Sequence, residues 1–270
     1  MATSKQPGAG QTALITGASS GIGEALAACF AQGGFNLVLV ARGADKLKAL
    51  AKALTATHGV KAWAVPADLA VPGAAAKLAA SMKRAKRTID VLVNNAGVLE
   101  HGAFVDMPAT RHQQLIDLNV GGLTAMLAHF VPAMQQRGFG RVLNVASIAA
   151  FQPVPALATY AATKAYVLSL TESLAEELRG SGVTVTALCP GITATGMLSS
   201  AAAHNAKVAQ LPRFLVGAVD AVAEQGYRAC LAGDVIVVPG AINRAATLAA
   251  GATPKWLLRR VAGALGRKVM

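Results

Sequence analysis

A tyrosine and a lysine four residues apart carry the first chemical signal in this chain: Tyr160-Ala161-Ala162-Thr163-Lys164, at the predicted start of a helix. Positions i and i+4 share a helix face, so the ammonium can sit beside the phenol. A free tyrosine titrates near pH ~10, and an adjacent cation lowers that by roughly 1–3 units. Such a pair can serve as general acid and base on a carbonyl or an alcohol. The spacing is common, however, and it means little without other groups around it.

A second signal lies near the N-terminus. The apolar run TALIT (12–16) leads directly into Thr16-Gly17-Ala18-Ser19-Ser20-Gly21-Ile22-Gly23, and helical spacing follows at 24–32. Glycines let a backbone turn sharply and approach a pyrophosphate, whose charge then rests on the helix N-terminus. Strand before and helix after is the context that a dinucleotide loop requires, although glycine also serves βα packing alone. The next strand ends at Val40-Ala41-Arg42. An NAD site normally places an acid here for the ribose 2′-hydroxyl. Ala41 cannot fill that role, and Arg42 offers a fork for a 2′-phosphate, so NADP(H) is favoured over NAD(H). Arg42 could equally be a solvated charge that opens the following helix. Asp68 reads either as an acceptor for an adenine amino group or as a helix N-cap.

Short apolar runs must hold these residues in place. Those at 12–16, 36–41, 61–68, 89–95, 141–147, 183–190 and 235–240 read as strands. Segments 24–32, 70–87, 110–136 and 159–180, with another ending near 57, read as helices. This alternation predicts βαβ units: an α/β fold with one doubly wound, Rossmann-type parallel sheet of about seven strands and helices on both faces. The expected organisation is a flexible tail over 1–10, one NAD(P)-binding catalytic domain over 11–252, and a basic amphipathic tail over 253–270.

Composition narrows the alternatives. Of 270 residues, 54% are hydrophobic and 14% charged, which excludes disorder over most of the length. Mean hydropathy is +0.46, raised mainly by alanine. The uncharged stretches 142–163 and 180–206 carry Asn, Gln, Pro, Ser and Thr, unlike a bilayer span. No hydrophobic leader opens the chain, so a cytoplasmic location is expected. Cys29, Cys189 and Cys230 are scattered and the five histidines share no ligand spacing, so no metal site is expected. Of the +12 net charge, half follows Asp234, the last acidic residue, which speaks against nucleic acid as a partner. Trp256, Leu257, Val261, Ala264 and Leu265 fall near helical spacing in the tail. We expect that tail to pack against the protein, near the substrate entrance or a subunit contact, rather than to lie on an anionic membrane.

Taken together, TGASSGIG (16–23), Asp68-Leu69, NNAG (94–97), Asn119 within LNVGG, Ser147, YAATK (160–164) and PGITAT (190–195) resemble the short-chain dehydrogenase/reductase family, in order and spacing, over roughly residues 10–240. The resemblance implies an NADP(H)-dependent oxidoreductase that interconverts a ketone or aldehyde and an alcohol. It implies a catalytic tetrad of Asn119, Ser147, Tyr160 and Lys164. Ser147 would hold the carbonyl oxygen and Tyr160 would protonate it. Lys164 would lower the tyrosine pKa and bind the nicotinamide ribose, while Asn119 would hold a relay water. Cofactor contacts would come from Gly17, Ser19, Ser20, Gly21, Ile22 and Gly23 in the loop, then from Arg42, Asp68 and Leu69. Asn95, Ala96 and Gly97 would line the adenosine side, with Asn94 supporting the central strand. Pro190, Gly191 and Thr195 would meet the nicotinamide, beside Tyr160 and Lys164. Family members are commonly homodimers or homotetramers, here packed through the helices around 110–136 and 159–180.

Substrate contacts in this family come from variable loops, here about 100–106, 149–159 and 195–214. Their Phe104, Phe151, Val154, Leu157, Met197, Leu198 and Leu211 suit an apolar pocket and a lipophilic small molecule, or simply loop packing. VVPGAINRAATL (237–248) stands where carrier-protein 3-oxoacyl reductases have Val-Asp-Gly-Gly, and looks more like the hydroxysteroid and long-chain 3-ketoacyl reductase subgroup. A non-catalytic NADP-binding redox sensor and an interaction protein acting through its tail are the alternatives.

Overall fold

A computed structural model describes residues 6–194 and 216–267, with side chains to Ala264. Seven strands form one parallel sheet in the order β3-β2-β1-β4-β5-β6-β7. They are β1 (Thr12–Thr16), β2 (Asn36–Ala41), β3 (Ala62–Pro66), β4 (Val91–Asn94), β5 (Gly140–Val145), β6 (Val183–Leu188) and β7 (Ile236–Val237). Alternate residues point to opposite faces of a strand. Leu14, Val38 and Val40 therefore join one core, and Ala13, Ile15, Leu37 and Leu39 the other. Helices α1 (Gly21–Gln32), α2 (Ala44–His58) and α7 (Val219–Ala232) cover the second face through Leu26, Leu47 and Val222. Helices α3 (Ala74–Arg84), α5 (Leu123–Gln136) and α6 (Ala158–Glu177) cover the first through Leu78, Met126 and Val167. Both faces being covered is why β1, β2 and β4 read as near-continuous apolar runs.

The order of the sheet reverses direction between β1 and β4. In such sheets the ligand crevice lies beyond the carboxyl ends of the strands at that reversal. Thr16, Ala41, Asn94, Val145 and Leu188 end their strands on that rim.

Three expectations are refined. The helix expected from residue 70 starts at Ala74, because Gly73 sits at φ +81° and interrupts the chain. The last strand is two residues long, ending before Pro239, which has no N–H to donate. The long helix expected over 110–136 is α4 (Ala109–Ile116), a π-helical turn at Asp117–Gly122, and α5. That run is long and apolar enough to cross a bilayer, but here it lies against the sheet and buries Leu115, Leu123, Met126 and Phe130.

Candidate active site

At the end of β1 the chain turns through Gly17, whose φ of +65° is the left-handed region that glycine tolerates. A Cβ there would stand 2.7 Å from Asn95 Nδ2, and one on Gly23 would collide with the Gly17 carbonyl. The loop is thus closed by backbone contacts that side chains would block. Thr16 ties it to β4: its Oγ1 accepts from the amides of Asn95 and Ala96, each at 3.0 Å, and donates to the Val93 carbonyl at 3.2 Å. Asn95 Nδ2 donates back to the carbonyls of Thr16 and Gly17 at 3.0 and 3.2 Å. Ser20 caps α1 without a side-chain cap bond, leaving its hydroxyl uncommitted at the helix N-terminus.

A cavity of about 940 Å³ opens over this loop. Gly17, Ser19, Ser20, Gly21 and Ile22 line one part of it; Arg42, Asp68, Leu69, Asn95, Ala96 and Gly97 line the next. Gly23 packs beneath the loop. Arg42 is exposed at the cavity edge, and Lys46, in the first turn of α2, reaches the same edge. No spacing rule marks Lys46 in the sequence, because Arg42 precedes α2 and the extended Gly43 stands between them. Asp68 Oδ1 accepts from the Ala70 amide at 3.1 Å, which fixes a turn and not the start of α3. Glycine backbone at close approach, an uncapped helix N-terminus and two cations at the far edge fit a dinucleotide carrying a 2′-phosphate.

Ser147, Tyr160, Lys164, Pro190 and Gly191 line the other part of the cavity. Ser147 opens a 3-10 turn at Ile148–Phe151, where its Oγ accepts from the Ala149 amide at 3.1 Å. Tyr160 and Lys164 lie one turn apart on α6, with Lys164 Nζ 5.8 Å from the Tyr160 ring centre. Lys164 is buried and its Nζ donates to the Val145 carbonyl at 2.8 Å. Asn119 comes from the π-helical turn, a distortion that recurs at functional sites. Its Oδ1 accepts from the Val98 amide and its Nδ2 donates to the Val98 carbonyl, both at 2.9 Å. A Cβ on Gly97 would be 3.2 Å from Asn119 Oδ1 and 3.5 Å from Lys164 Nζ, so glycine keeps the space between them open. The four candidate catalytic residues thus converge. Thr195, Met197, Leu198 and Leu211 lie outside the described residues.

Electrostatics departs from the expectation in one respect. Burial pushes the Tyr160 phenol up, and only a hydrogen bond with Ser147 opposes it. Lys164, which was expected to lower that phenol, is itself pushed down to about 8 by burial, opposed only weakly by Cys189. Burial holds the Cys189 thiol at about 12, so it remains neutral beside the lysine. Among the described residues no carboxylate pairs with Lys164. Removal from water disfavours the charged form of each group, and the protein alone offers little to compensate.

Sequence and structure comparisons identify the family. The family model for short chain dehydrogenase matches residues 11–206. The chain belongs to the short-chain dehydrogenases. Oxidoreductase UcpA of Escherichia coli (strain K12) is 41% identical over 73% of this chain and 74% of its own. Among solved structures, a short-chain dehydrogenase from Sphingobium yanoikuyae in complex with NADPH is 36% identical, covering 88% of this chain and 92% of that one, with a TM-score of 0.80. The bulky-bulky ketone specific alcohol dehydrogenase from Comamonas testosteroni is 32% identical over 88% and 90%, with a TM-score of 0.76. This short-chain dehydrogenase is therefore an NAD(P)-dependent oxidoreductase acting on CH–OH groups.

Proposed function

We propose that the enzyme uses NADP(H) to interconvert an apolar ketone and its secondary alcohol. When bound, the nicotinamide supplies or accepts the hydride. Tyr160 gives its phenolic proton to the carbonyl oxygen during reduction and takes it back during oxidation. Ser147 donates a hydrogen bond to that oxygen, where negative charge develops. Lys164 holds a positive charge beside the phenol and binds the nicotinamide ribose. Asn119 orients a water that returns a proton toward Lys164. Pro190, Gly191 and Thr195 hold the nicotinamide ring. Arg42, assisted by Lys46, holds the 2′-phosphate and favours NADP(H). The convergence of Ser147, Tyr160 and Lys164 on one cavity wall carries this reading. A redox sensor needs no such group.

The apolar substrate is supported by Val154, Pro155 and Leu157, which line the cavity beside Tyr160. NADPH consumption with butan-2-one, nonan-5-one, a steroid ketone and a 3-oxoacyl thioester tests the proposal. Turnover of the apolar ketones supports it, and turnover of none overturns it. Two copies would pack through α4, α5 and α6, where Ile116 of α4 is 42% exposed. A native mass of two or four chains is expected.

A further inference from the structure

The C-terminal helix α9 (Lys255–Arg267) follows α8 (Ala241–Ala252) after a break at Thr253-Pro254. Leu258, Val261 and Ala262 of α9 line the same cavity as Ser147 and Tyr160. Their spacing of three and four residues places them on one helix face. Arg259 and Arg260 lie off that face and are exposed, and Trp256 is 56% exposed. Val261 also stays half exposed, at 50%, as expected of a residue at a cavity mouth rather than in its depth. The helix is anchored near the chemistry through α8, which packs on the turn Ile148–Phe151 that follows Ser147. Asn243 of α8 donates to the Pro239 carbonyl at 2.9 Å and lies against Gly191.

We infer that α9 is the wall that sets how much apolar bulk the cavity accepts beside the reacting carbonyl, with Leu258, Val261 and Ala262 as its specificity-determining residues. The inference rests on the ketone reductase reading above. Val154 and Pro155 bound the cavity from the Ser147 turn, and α9 adds an apolar surface from a separate element. A ketone with one long or branched arm covers both surfaces, whereas a four-carbon ketone reaches too little of α9 to be affected by it. Ala262, the smallest of the three, leaves room that a larger side chain would take. In this assignment they act on the carbonyl compound, while the glycine loop and the Arg42 edge hold the cofactor.

The test compares butan-2-one with decan-2-one and nonan-5-one in wild-type enzyme, Ala262→Phe, and the exposed control Leu248→Ala. Ala262→Phe should raise KM for the two larger ketones by about tenfold or more, the range of one or two methylenes in a pocket. KM for NADPH and for butan-2-one should stay within about twofold. Equal effects on large and small ketones, or none, overturn the inference and leave the reductase reading intact. Trp256 gives a readout independent of turnover, because Trp63 is the only other tryptophan in the chain. In a Trp63→Phe background, decan-2-one should shift Trp256 emission, and Ala262→Phe should abolish the shift. Binding of that kind without turnover would support the wall and sink the reductase reading. Neither binding nor turnover with any ketone would sink both.

Discussion

Along the glycine loop, the cavity is bounded by backbone. Gly17, Gly23 and Gly97 clear space that a Cβ would fill, and Thr16 and Asn95 lock β1 to β4 with hydrogen bonds of 3.0–3.2 Å. Across the cavity, the boundary is made of side chains: Val154, Pro155 and Leu157 after Ser147, and Leu258, Val261 and Ala262 on α9. A backbone cradle binds the groups common to every dinucleotide and tolerates few substitutions. An apolar side-chain wall can change size without disturbing the sheet. Tyr160 and Lys164 stand between the two, on α6, and answer to both.

The hardest test of that division is Tyr160→Phe. Phenylalanine keeps the ring and its packing against the small cluster of Leu115, Ala149 and Ala161, and removes only the acid. Turnover should fall by roughly 10²–10⁴-fold, the usual worth of a positioned acid or base. NADPH affinity, set by the cradle, should hold. Retention of a tenth of the activity would mean that another group delivers the proton.

Arg42→Ala probes the cradle at its far edge. Loss of a charge-assisted bond to a 2′-phosphate costs about 1.5–3 kcal/mol, or roughly 10–100-fold in NADPH affinity. NADH has no such phosphate and should bind nearly as before. Lys46, in the first turn of α2 at the same cavity edge, softens the loss, so Arg42→Ala/Lys46→Ala should exceed either single change. Equal weakening of both cofactors in a fluorescence titration would make Arg42 a solvated surface charge.

Lys164→Met separates the chemistry from the stability of α6. The lysine is held at about 8, below its ordinary 10.5, so burial penalises its charged form. Both folded and unfolded lysine are protonated below pH ~8, and there the penalty is fully present. Between about 8 and 10.5 the folded protein sheds the proton first, and the penalty is relieved as pH rises. Methionine removes the charge, so the variant should be inactive yet more stable at pH 7, by on the order of 1–2 kcal/mol after the lost bond to Val145 is counted. That gain should shrink toward pH 10. Melting curves at pH 7 and pH 10 read it directly, and a variant less stable at pH 7 would show that the ammonium is compensated. In wild-type enzyme, kcat/KM for reduction should decline as pH rises through about 8.

The sheet was readable in the sequence because both of its faces are covered. A strand buried on two sides is mostly apolar, and the runs of β1, β2 and β4 stand out for that reason. The glycine loop and the Tyr160–Lys164 pair were readable because their spacing is fixed by local geometry, a turn and one helical repeat. Other features depend on contacts distant in sequence. No local pattern distinguishes the π-helical turn that brings Asn119 to Lys164 from the continuous helix expected there. Nor could the pattern announce that burial would outweigh charge at Tyr160, since desolvation belongs to the assembled cavity. Lys46 was hidden for a plainer reason: in a helix rich in Lys and Ala, one lysine looks like the next. The tail showed helical spacing, but which cavity its apolar face would meet was set by α8 and the turn after Ser147.

Deleting residues 253–270 should have the smallest effect on stability and the clearest effect on selectivity. α9 contributes little burial: Leu257 is 39% exposed and Val261 50%, and the described part of the helix adds no residue to the two large cores. An element with so few buried contacts opens locally at low cost and adds little to the global free energy. Its removal should lower stability by about 1 kcal/mol, a drop of roughly 2–4 °C in Tm for a chain of this size. The cradle is untouched, so NADPH affinity should hold. Butan-2-one should be reduced as before, while the preference among larger ketones relaxes because one wall is gone. The basic residues Lys255, Arg259 and Arg260 supply the competing possibility of a phosphate-bearing membrane surface. If the shortened enzyme keeps both its Tm and its discrimination, and only the full chain sediments with anionic vesicles, then α9 serves a lipid surface and the cavity is closed by something else.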